Sequence, residues 1–342
     1  MSLRSLRWTA VTAVVAVLAL GGCSATDTAS PSGSADAGDG VFPVTFTHLY
    51  GQTTLDVAPE RVATWGWGAT DAVLALGVMP VAIPSDDYGG GETRITPWVQ
   101  DAIDEVGGDA PVILDSSSYT LDVEALLATD PDVLIASYSG LTQEEYDAVT
   151  AAGIPVIAPE TALWATPWRD VITDAGKALG LQDKADEVLA GLDGLVADAA
   201  AAHPEFAGTT IAFAADDVDT FYLYLPADAR VEIFEDLGFV SDPSVEELDT
   251  GESTFYTTVS AENLDKITAE VIFSYGFVDD AALDTFLHSQ RTNLIPAIAK
   301  GAVATISGVG DSDAVSPTAL TLPYLLPTVV EKLAEATAVA KG

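Results

Sequence analysis

The sequence predicts an α/β protein made of two similar lobes joined by a long helix. Short apolar strands alternate with amphipathic helices, which is typical of a parallel sheet covered by helices on both faces. A long helical pattern occupies residues 166–203 near the middle of the chain. A short internal echo, described below, lies on either side of that helix.

The first residues are typical of an export signal rather than of the folded body. Arg4 and Arg7 precede an apolar run, Trp8–Leu20, which at about 13 residues is too short for a permanent membrane span. Small residues then precede Cys23, the only cysteine in the 342-residue chain. The segment resembles a bacterial lipoprotein signal, in which Cys23 receives the lipid. The alternative is an ordinary secretory signal with a chance cysteine.

These patterns divide the chain into five segments. We expect a signal peptide over 1–22 and a flexible tether over 23–40, because the tether has no large apolar side chain to bury. An N-terminal ligand-binding lobe over 41–165, a linking helix over 166–203 and a C-terminal ligand-binding lobe over 204–342 follow. The mature protein is then expected on the outer face of the cell membrane, held there by lipid.

The linking helix and the internal echo support a two-lobed arrangement. A helix of about 35 residues would be roughly 50 Å long, which exceeds one domain. On one side of it, Glu124 is followed by Asp132 and by an apolar strand that ends in Ser-Tyr. On the other side, Glu262 is followed by Glu270 and a similar strand. The echo predicts that each lobe carries an equivalent glutamate.

Composition excludes several classes of function. The net charge of −39 excludes nucleic acid as a natural partner, because phosphate binding needs clustered Lys and Arg. The charge indicates either solubility of an exported protein or attraction of a cationic ligand. Nucleotide-binding, zinc-protease and serine-hydrolase motifs are missing from the sequence, so we expect no enzyme. The three histidines are not spaced as a metal cluster, so we expect no resident metal or cofactor.

Aromatic residues gather where the predicted strands end. Ligands of open α/β sheets bind beyond the carboxyl ends of the strands, where flat rings can stack on a large ligand. Arg169 is notable because arginine is scarce here; it could pair with a surface carboxylate or meet an anionic oxygen of a ligand. For single aromatics such as Trp164, core packing is the alternative. The residues predicted to bind the ligand are Trp65, Trp67, Tyr88, Tyr138, Trp168, Arg169, Tyr222 and Tyr275.

Several motifs carry a family likeness. Ala58–Ala63 (APERVA), an aromatic loop, and Asp71–Val78 (DAVLALGV) stand near the start of the body. Val123–Leu127 is followed by Asp130–Ile135 (DPDVLI), and Ile295–Val303 (IPAIAKGAV) stands near the end. Together they resemble the substrate-binding lipoproteins of iron–siderophore ABC transporters, over most of the chain after the tether.

The resemblance implies a class III periplasmic binding protein: two Rossmann-like lobes, one long linking helix, a ligand in the cleft and little hinge motion. It also implies that Glu124 and Glu262 dock onto arginines of the membrane permease. The alternative for these two glutamates is that each complements the dipole of a helix start.

The leading hypothesis is therefore capture of a ferric siderophore by a monomeric protein. We favour the hydroxamate type, because an acidic protein suits a neutral or cationic complex better than a trianionic catecholate. The runner-up is haem or cobalamin; haem needs an axial His or Tyr, a role open to Tyr88, Tyr138 or Tyr275. A cell-surface hydrolase is a remote alternative that no nucleophile–base pair supports.

Overall fold

The computed structural model describes residues 42–217 and 220–342. The predicted signal peptide, the tether and Cys23 lie outside the described residues. No helix in the described part of the chain is long and apolar enough to cross a membrane. An antiparallel hairpin of β1 (Val44–His48) and β2 (Gly51–Leu55) comes first among the described residues, and it is an addition to the predicted elements.

The first lobe is a parallel sheet with helices packed on it. Its strands are β3 (Val62–Thr64), β4 (Ala82–Pro84), β5 (Val112–Leu114), β6 (Val133–Ile135) and β7 (Val156–Ile157). Its helices are α1 (Ala69–Ala75), α2 (Pro97–Val106), α3 (Val123–Leu127) and α4 (Gln143–Ala151). The strand order is β5-β4-β3-β6-β7, and every neighbouring pair is parallel. The central strands β3 and β6 are buried along their whole length, as expected for a sheet covered on both faces.

The linking segment is helical, but it consists of two helices: α5 (Trp168–Leu179) and α6 (Gln182–Ala202). The prediction of one unbroken helix is wrong at Gly180, which has a φ of 68° and ends α5 in the left-handed conformation that glycine adopts most easily. A Cβ on Gly176 would collide with Ala185, so α6 folds closely against α5. The 21 residues of α6 span about 31 Å.

The second lobe contains a mixed sheet. Its strands are β8 (Thr210–Asp217), β9 (Thr220–Tyr224), β10 (Val240–Ser241), β11 (Tyr256–Val259), β12 (Val271–Phe277) and β13 (Val303–Ser307). Its helices are α7 (Ala229–Asp236), α8 (Pro243–Glu247), α9 (Asp280–His288), α10 (Pro296–Lys300), α11 (Val309–Asp313) and α12 (Thr321–Lys341). The order β11-β9-β8-β12-β13 has β10 attached to β8. Strand β9 is antiparallel to both neighbours, whereas β8, β12 and β13 are parallel.

The linking helices connect the two lobes through their packing. Helix α5 packs against α1 of the first lobe, and α6 packs against α7 and α12 of the second. The predicted fold class, an α/β protein of two lobes around a helical link, is confirmed.

The internal echo marks equivalent positions in the two sheets. The Asp132 carboxylate, just before β6, accepts the backbone N–H groups of Glu60 and Arg61 at 2.8 and 3.0 Å, at the start of β3. The Glu270 carboxylate, just before β12, accepts the N–H of Thr210 at 2.9 Å, at the start of β8. Each acidic residue therefore secures the first residues of the strand that neighbours its own.

The segment from α11 to α12 packs directly on the first lobe. The Thr318 hydroxyl donates to the Asp71 carboxylate on α1 at 2.6 Å. The rings of Trp98 on α2 and Tyr324 on α12 lie 5.3 Å apart, centre to centre. The Asp313 carboxyl, at the end of α11, contacts the loop that follows β4. Contacts between side chains, as well as the linking helices, therefore fix the two lobes against each other.

Asp313 makes the stability of this contact depend on pH. Burial, and then the neighbouring carboxylate of Asp86, raise the pKa of Asp313 from 3.8 to about 8. The folded protein keeps this proton up to about pH 8, whereas the unfolded chain releases it near its ordinary pKa. The free energy of unfolding therefore falls as the pH rises from about 4 to about 8.

We expect Asp313→Asn to remove part of this fall, because the amide stays neutral. In thermal melts, the variant should exceed the wild type in Tm at pH 8.5, and the difference should shrink toward pH 4. A gain on the order of 1 kcal/mol corresponds to about 2 °C for a chain of this size. The control is Asp311→Asn on the same helix. A variant no more stable than the wild type at pH 8.5 would contradict the burial of this carboxyl.

Candidate functional site

Two loops at neighbouring strand ends build one wall of the cleft. Residues Trp65–Gly68 follow β3, and Tyr138 follows β6, so the carboxyl ends of adjacent parallel strands bring them together. The N–H of Trp67 donates to the carbonyl oxygen of Tyr138 at 2.9 Å. Gly66, with a φ of +85°, allows this approach, since a Cβ there would lie 2.6 Å from the Cβ of Ser139.

Three rings on this wall form what we call the aromatic cluster: Trp67, Tyr138 and Trp164. The Trp67 ring centre lies 5.8 Å from that of Tyr138 and 5.1 Å from that of Trp164. Trp164 has a φ of 56°, which bulky residues rarely adopt. Its N–H donates to the Ser139 carbonyl at 3.2 Å, and its indole packs where a side chain on Gly140 would collide. The backbone around the cluster is thus shaped to hold Trp164 in place.

The second lobe supplies the arginine cluster: Arg230, Asp228, Tyr224 and Tyr275. The guanidinium donates to both Asp228 oxygens at 2.8 and 2.6 Å and to the Tyr275 hydroxyl at 2.6 Å. It lies 4.1 Å from the Tyr224 ring centre, and the Tyr224 and Tyr275 hydroxyls are 2.9 Å apart. The ion pair is almost fully buried, with side-chain exposures of 5% for Arg230 and 0% for Asp228. Burial by itself lowers the pKa of Arg230, but Tyr275 and Asp228 raise it above its ordinary value, so the side chain stays charged.

The two clusters face each other across the lobes. The Arg230 guanidinium carbon is 5.9 Å from the centre of the Trp67 ring. Burial, and then the carboxylate of Asp228, raise the pKa of Tyr138 above its ordinary value. Among the described residues, the acceptors bonded to Arg230 are Asp228 and Tyr275. The guanidinium carries five N–H donors, so it can also bond an anionic oxygen of a ligand.

A cavity of about 920 Å³, open to solvent, extends from the aromatic cluster into the space between the lobes. Trp67 and Trp164 line it together with Tyr119, which is 66% exposed and stands edge-on to Trp164 at 6.4 Å. A smaller space of about 340 Å³ lies beside Arg230, and Thr321 lines both. The larger cavity combines aromatic walls with a few polar groups, as small-molecule sites do.

Five of the predicted ligand-binding residues lie at this cleft. Trp67, Tyr138 and Tyr275 belong to the two clusters. Trp65 is only 3% exposed, yet it forms part of the cavity wall. Tyr88 is 45% exposed in the loop after β4, and its side chain lies near Ser312 of the second lobe. Their placement agrees with the prediction, and their contact with a ligand stays a prediction.

Trp168 and Arg169 do not reach the cleft. Trp168 is 1% exposed and packs inside the core beneath α5. The Arg169 guanidinium lies 4.2 Å from the Trp168 ring and forms ion pairs that fasten α5 to α6 and α7. Its partners are Asp193, Glu232 and Asp236. The geometry of Arg169 matches the surface-carboxylate alternative rather than contact with a ligand.

Tyr222 is also displaced from the cleft, and its neighbour on the strand takes the expected place. The Tyr222 ring packs edge-on against Tyr256 at 5.5 Å. Tyr224, two residues later and therefore on the same face of β9, joins the arginine cluster. Because side chains alternate along a strand, Tyr224 was as good a candidate for the cleft as Tyr222. The scarcity of arginine in the chain was the sequence signal that could have indicated Arg230.

The described residues offer no place for a resident metal. No group of three or more His, Cys, Asp or Glu side chains among them could hold a metal ion. The three histidines are absent from the walls of the larger cavity.

Comparisons with known proteins agree with this geometry. The family model described as "Periplasmic binding protein" matches residues 62–308. A probable siderophore-binding lipoprotein of Bacillus subtilis, YfiY, is 25% identical over 273 residues, covering 79% of this chain and 78% of the relative.

Solved structures show the same architecture. PiaA of Streptococcus pneumoniae, solved in complex with ferrichrome, is 34% identical with a TM-score of 0.78, over 86% of this chain and 99% of that one. A periplasmic solute-binding protein of Mycobacterium smegmatis has a TM-score of 0.71 at 21% identity, over 86% of this chain and 99% of that one, which supports the fold alone. The chain belongs to the periplasmic binding protein family, whose members bind solutes rather than catalyse reactions.

Proposed function

We propose that this protein captures a ferric siderophore, preferably of the hydroxamate type, outside the cytoplasm and delivers it to an ABC importer. The observation that carries the proposal is the buried, charged Arg230 facing the aromatic cluster across the cleft. Hydroxamate oxygens bound to iron carry negative charge, so a forked guanidinium can donate to them. The rings of the aromatic cluster supply flat apolar surface for the rest of the complex. Iron enters as cargo inside the ligand and needs no protein side chain.

Two further observations favour the hydroxamate type. A ferric trihydroxamate is neutral at its iron centre, whereas a ferric triscatecholate is a trianion. Arg94 also lines the larger cavity, but Asp87 and Asp115 already pair with it. The cleft thus offers one arginine without a surplus of positive charge. The similarity to PiaA, which was solved with ferrichrome, supports the same ligand class.

The lipid anchor at Cys23 stays a prediction from the sequence. The similarity to a curated siderophore-binding lipoprotein supports it. A tether of this composition would let the binding body reach the importer while it remains at the membrane.

We also propose that Glu124 and Glu262 are the points of contact with the permease. Glu124 lies in the first turn of α3, after β5, and Glu262 lies in the 3-10 turn Ala261–Lys266, after β11. Strands β5 and β11 run in the same direction as the parallel strands of their sheets. Both glutamates therefore follow the carboxyl ends of strands, the ends from which the cleft loops also emerge. Both are exposed, and neither forms an ion pair with a described residue. Their charges are thus available to arginines of a partner.

The ligand proposal predicts that ferric trihydroxamates quench the tryptophan fluorescence of the purified protein. Trp67→Ala should weaken binding about ten-fold or more by calorimetry, because truncating a central aromatic contact costs about 2 kcal/mol. Val57→Ala, a surface residue that is 73% exposed, is the control and should bind as the wild type does. Absence of quenching by every hydroxamate complex, or a Soret shift with haemin, would contradict the ligand class.

The docking proposal predicts that substitution of the two glutamates impairs transport but leaves ligand binding unchanged. In cells, the double variant Glu124→Lys with Glu262→Lys should lose most siderophore-dependent iron uptake, since two attractive contacts become repulsive. The purified variant should keep the affinity of the wild type. The control is Glu144→Lys, an exposed glutamate on α4. Iron uptake at the wild-type level by the double variant would contradict the proposed role of Glu124 and Glu262 in docking to the permease.

A further inference from the structure

The larger cavity continues past the aromatic cluster to a floor of carboxyl groups. Asp71 on α1 and Asp86 after β4 come from the first lobe, and Asp313 on α11 comes from the second. Arg94 is the basic side chain on the cavity wall, and its charge is already balanced by two carboxylates. This part of the cavity therefore carries negative charge without a counter-ion from the described residues.

Hydrogen bonds hold Asp71 and Asp86 in place, but no basic side chain among the described residues forms an ion pair with the three carboxyls. Asp71 accepts from the Thr318 hydroxyl at 2.6 Å. One Asp86 oxygen accepts the N–H groups of Tyr88, Gly89 and Gly90 at 2.9, 2.6 and 3.1 Å. Oδ2 of Asp313 is buried without a hydrogen-bond partner among the described residues. Two ionised carboxylates cannot bond each other, so Asp313 and Asp86 interact favourably only through a shared proton.

The protonation of these groups supports the same view. Burial is the main cause that raises the pKa of Asp71 to about 6 and of Asp313 to about 8. At pH 7 Asp71 is therefore mostly ionised, whereas Asp313 keeps its proton while no cation is near. An ammonium group placed beside Asp313 favours its ionised form, because an opposite charge lowers the pKa of a carboxyl.

A second, independent observation comes from Thr96. This residue precedes α2, lines the same cavity and is only 5% exposed. Its hydroxyl has no partner among the described residues. A buried polar group without a partner is costly, so such groups are normally bonded. The cavity thus presents carboxyl and hydroxyl oxygens together, a set that suits a donor with several N–H groups.

We propose that the carboxyl floor formed by Asp71, Asp86 and Asp313 is a subsite for a protonated amine carried by the siderophore. The inference rests on the proposed function, and it names the substrate class: a hydroxamate siderophore with a free primary ammonium. The ammonium offers three N–H donors to the acceptors of the floor. Trp67 belongs to both the aromatic cluster and the cavity wall, so one ligand can place its iron centre near Arg230 and its amine at the floor.

The test compares two ligands that differ only in the charge of one group. Ferrioxamine B, the ferric complex of a linear trihydroxamate, ends in a primary amine, and acetylation of that amine removes its charge without changing the iron centre. Both complexes are titrated by calorimetry at pH 7 into the wild type and the variants. We expect the wild type to bind the amine form about ten-fold or more tightly than the acetylated form, as for a charge-assisted hydrogen bond.

Asp313→Asn and, separately, Asp71→Asn should reduce this preference to about two-fold or less. The ratio of the two affinities is the readout, because a general disturbance of the cleft changes both affinities together. Asp311→Asn makes the same substitution on the same helix, outside the cavity walls, and should keep the full preference. This control separates the subsite from the diffuse attraction of a protein with net charge −39.

Each alternative outcome has a distinct meaning. Equal binding of the two complexes by the wild type overturns the amine subsite and leaves the proposed function intact. A preference that survives both Asp313→Asn and Asp71→Asn overturns the assignment to this floor. Failure of both complexes to bind overturns the subsite and the proposed hydroxamate function together.

Discussion

The buried ion pair between Arg230 and Asp228 is the interaction on which the cleft depends. Either charge alone would be strongly destabilising at this depth, so each residue requires the other. Asp228 also caps α7 by accepting the N–H of Arg230 at 2.8 Å, which ties the start of that helix to the orientation of the guanidinium. With Asp228 on one side and the Tyr224 ring 4.1 Å away, the guanidinium is held toward Trp67 of the other lobe. The result is a guanidinium in fixed orientation in an aromatic cleft, with Asp228 as its counter-ion.

Much of the fold could be predicted from sequence periodicity, because buried parallel strands and amphipathic helices leave distinct patterns. The echo around Glu124 and Glu262 was informative for the same reason: Asp132 and Glu270 perform equivalent tasks at the starts of β3 and β8. The end of α5 at Gly180 could not be predicted, because the helical spacing of apolar residues continues across it. Only the left-handed backbone conformation of Gly180 ends the helix. The antiparallel direction of β9 could not be predicted, because an apolar strand has the same sequence pattern whichever way it runs in the sheet.

The site was less predictable, because it depends on contacts between distant segments. The Trp67 and Tyr138 loops could be found, since strand ends of one parallel sheet converge. Tyr224 and Tyr222 share a face of β9, and only the proximity of Tyr224 to Tyr275 distinguishes them. Trp168 lies one residue into α5, where its ring turns to the core. No local sequence pattern indicates that the Trp168 ring points into the core rather than into the cleft.

The cleft combines opposite charges at separate places, and this separation has more consequence than the net charge. Arg230 stands at the wall near Trp67, while the Asp71, Asp86 and Asp313 carboxyls form the floor between the lobes. A trianionic complex can accept hydrogen bonds from Arg230 at the wall, but the carboxyls of the floor repel it. A simple cation is attracted to the carboxyls of the floor, but it has no oxygen that could accept a hydrogen bond from Arg230. A complex with anionic oxygens around its metal and a cationic end at a distance matches both. For the proposed function, the placement of charge within the partly enclosed cleft would set selectivity, because exposed carboxylates elsewhere on the surface are screened by salt.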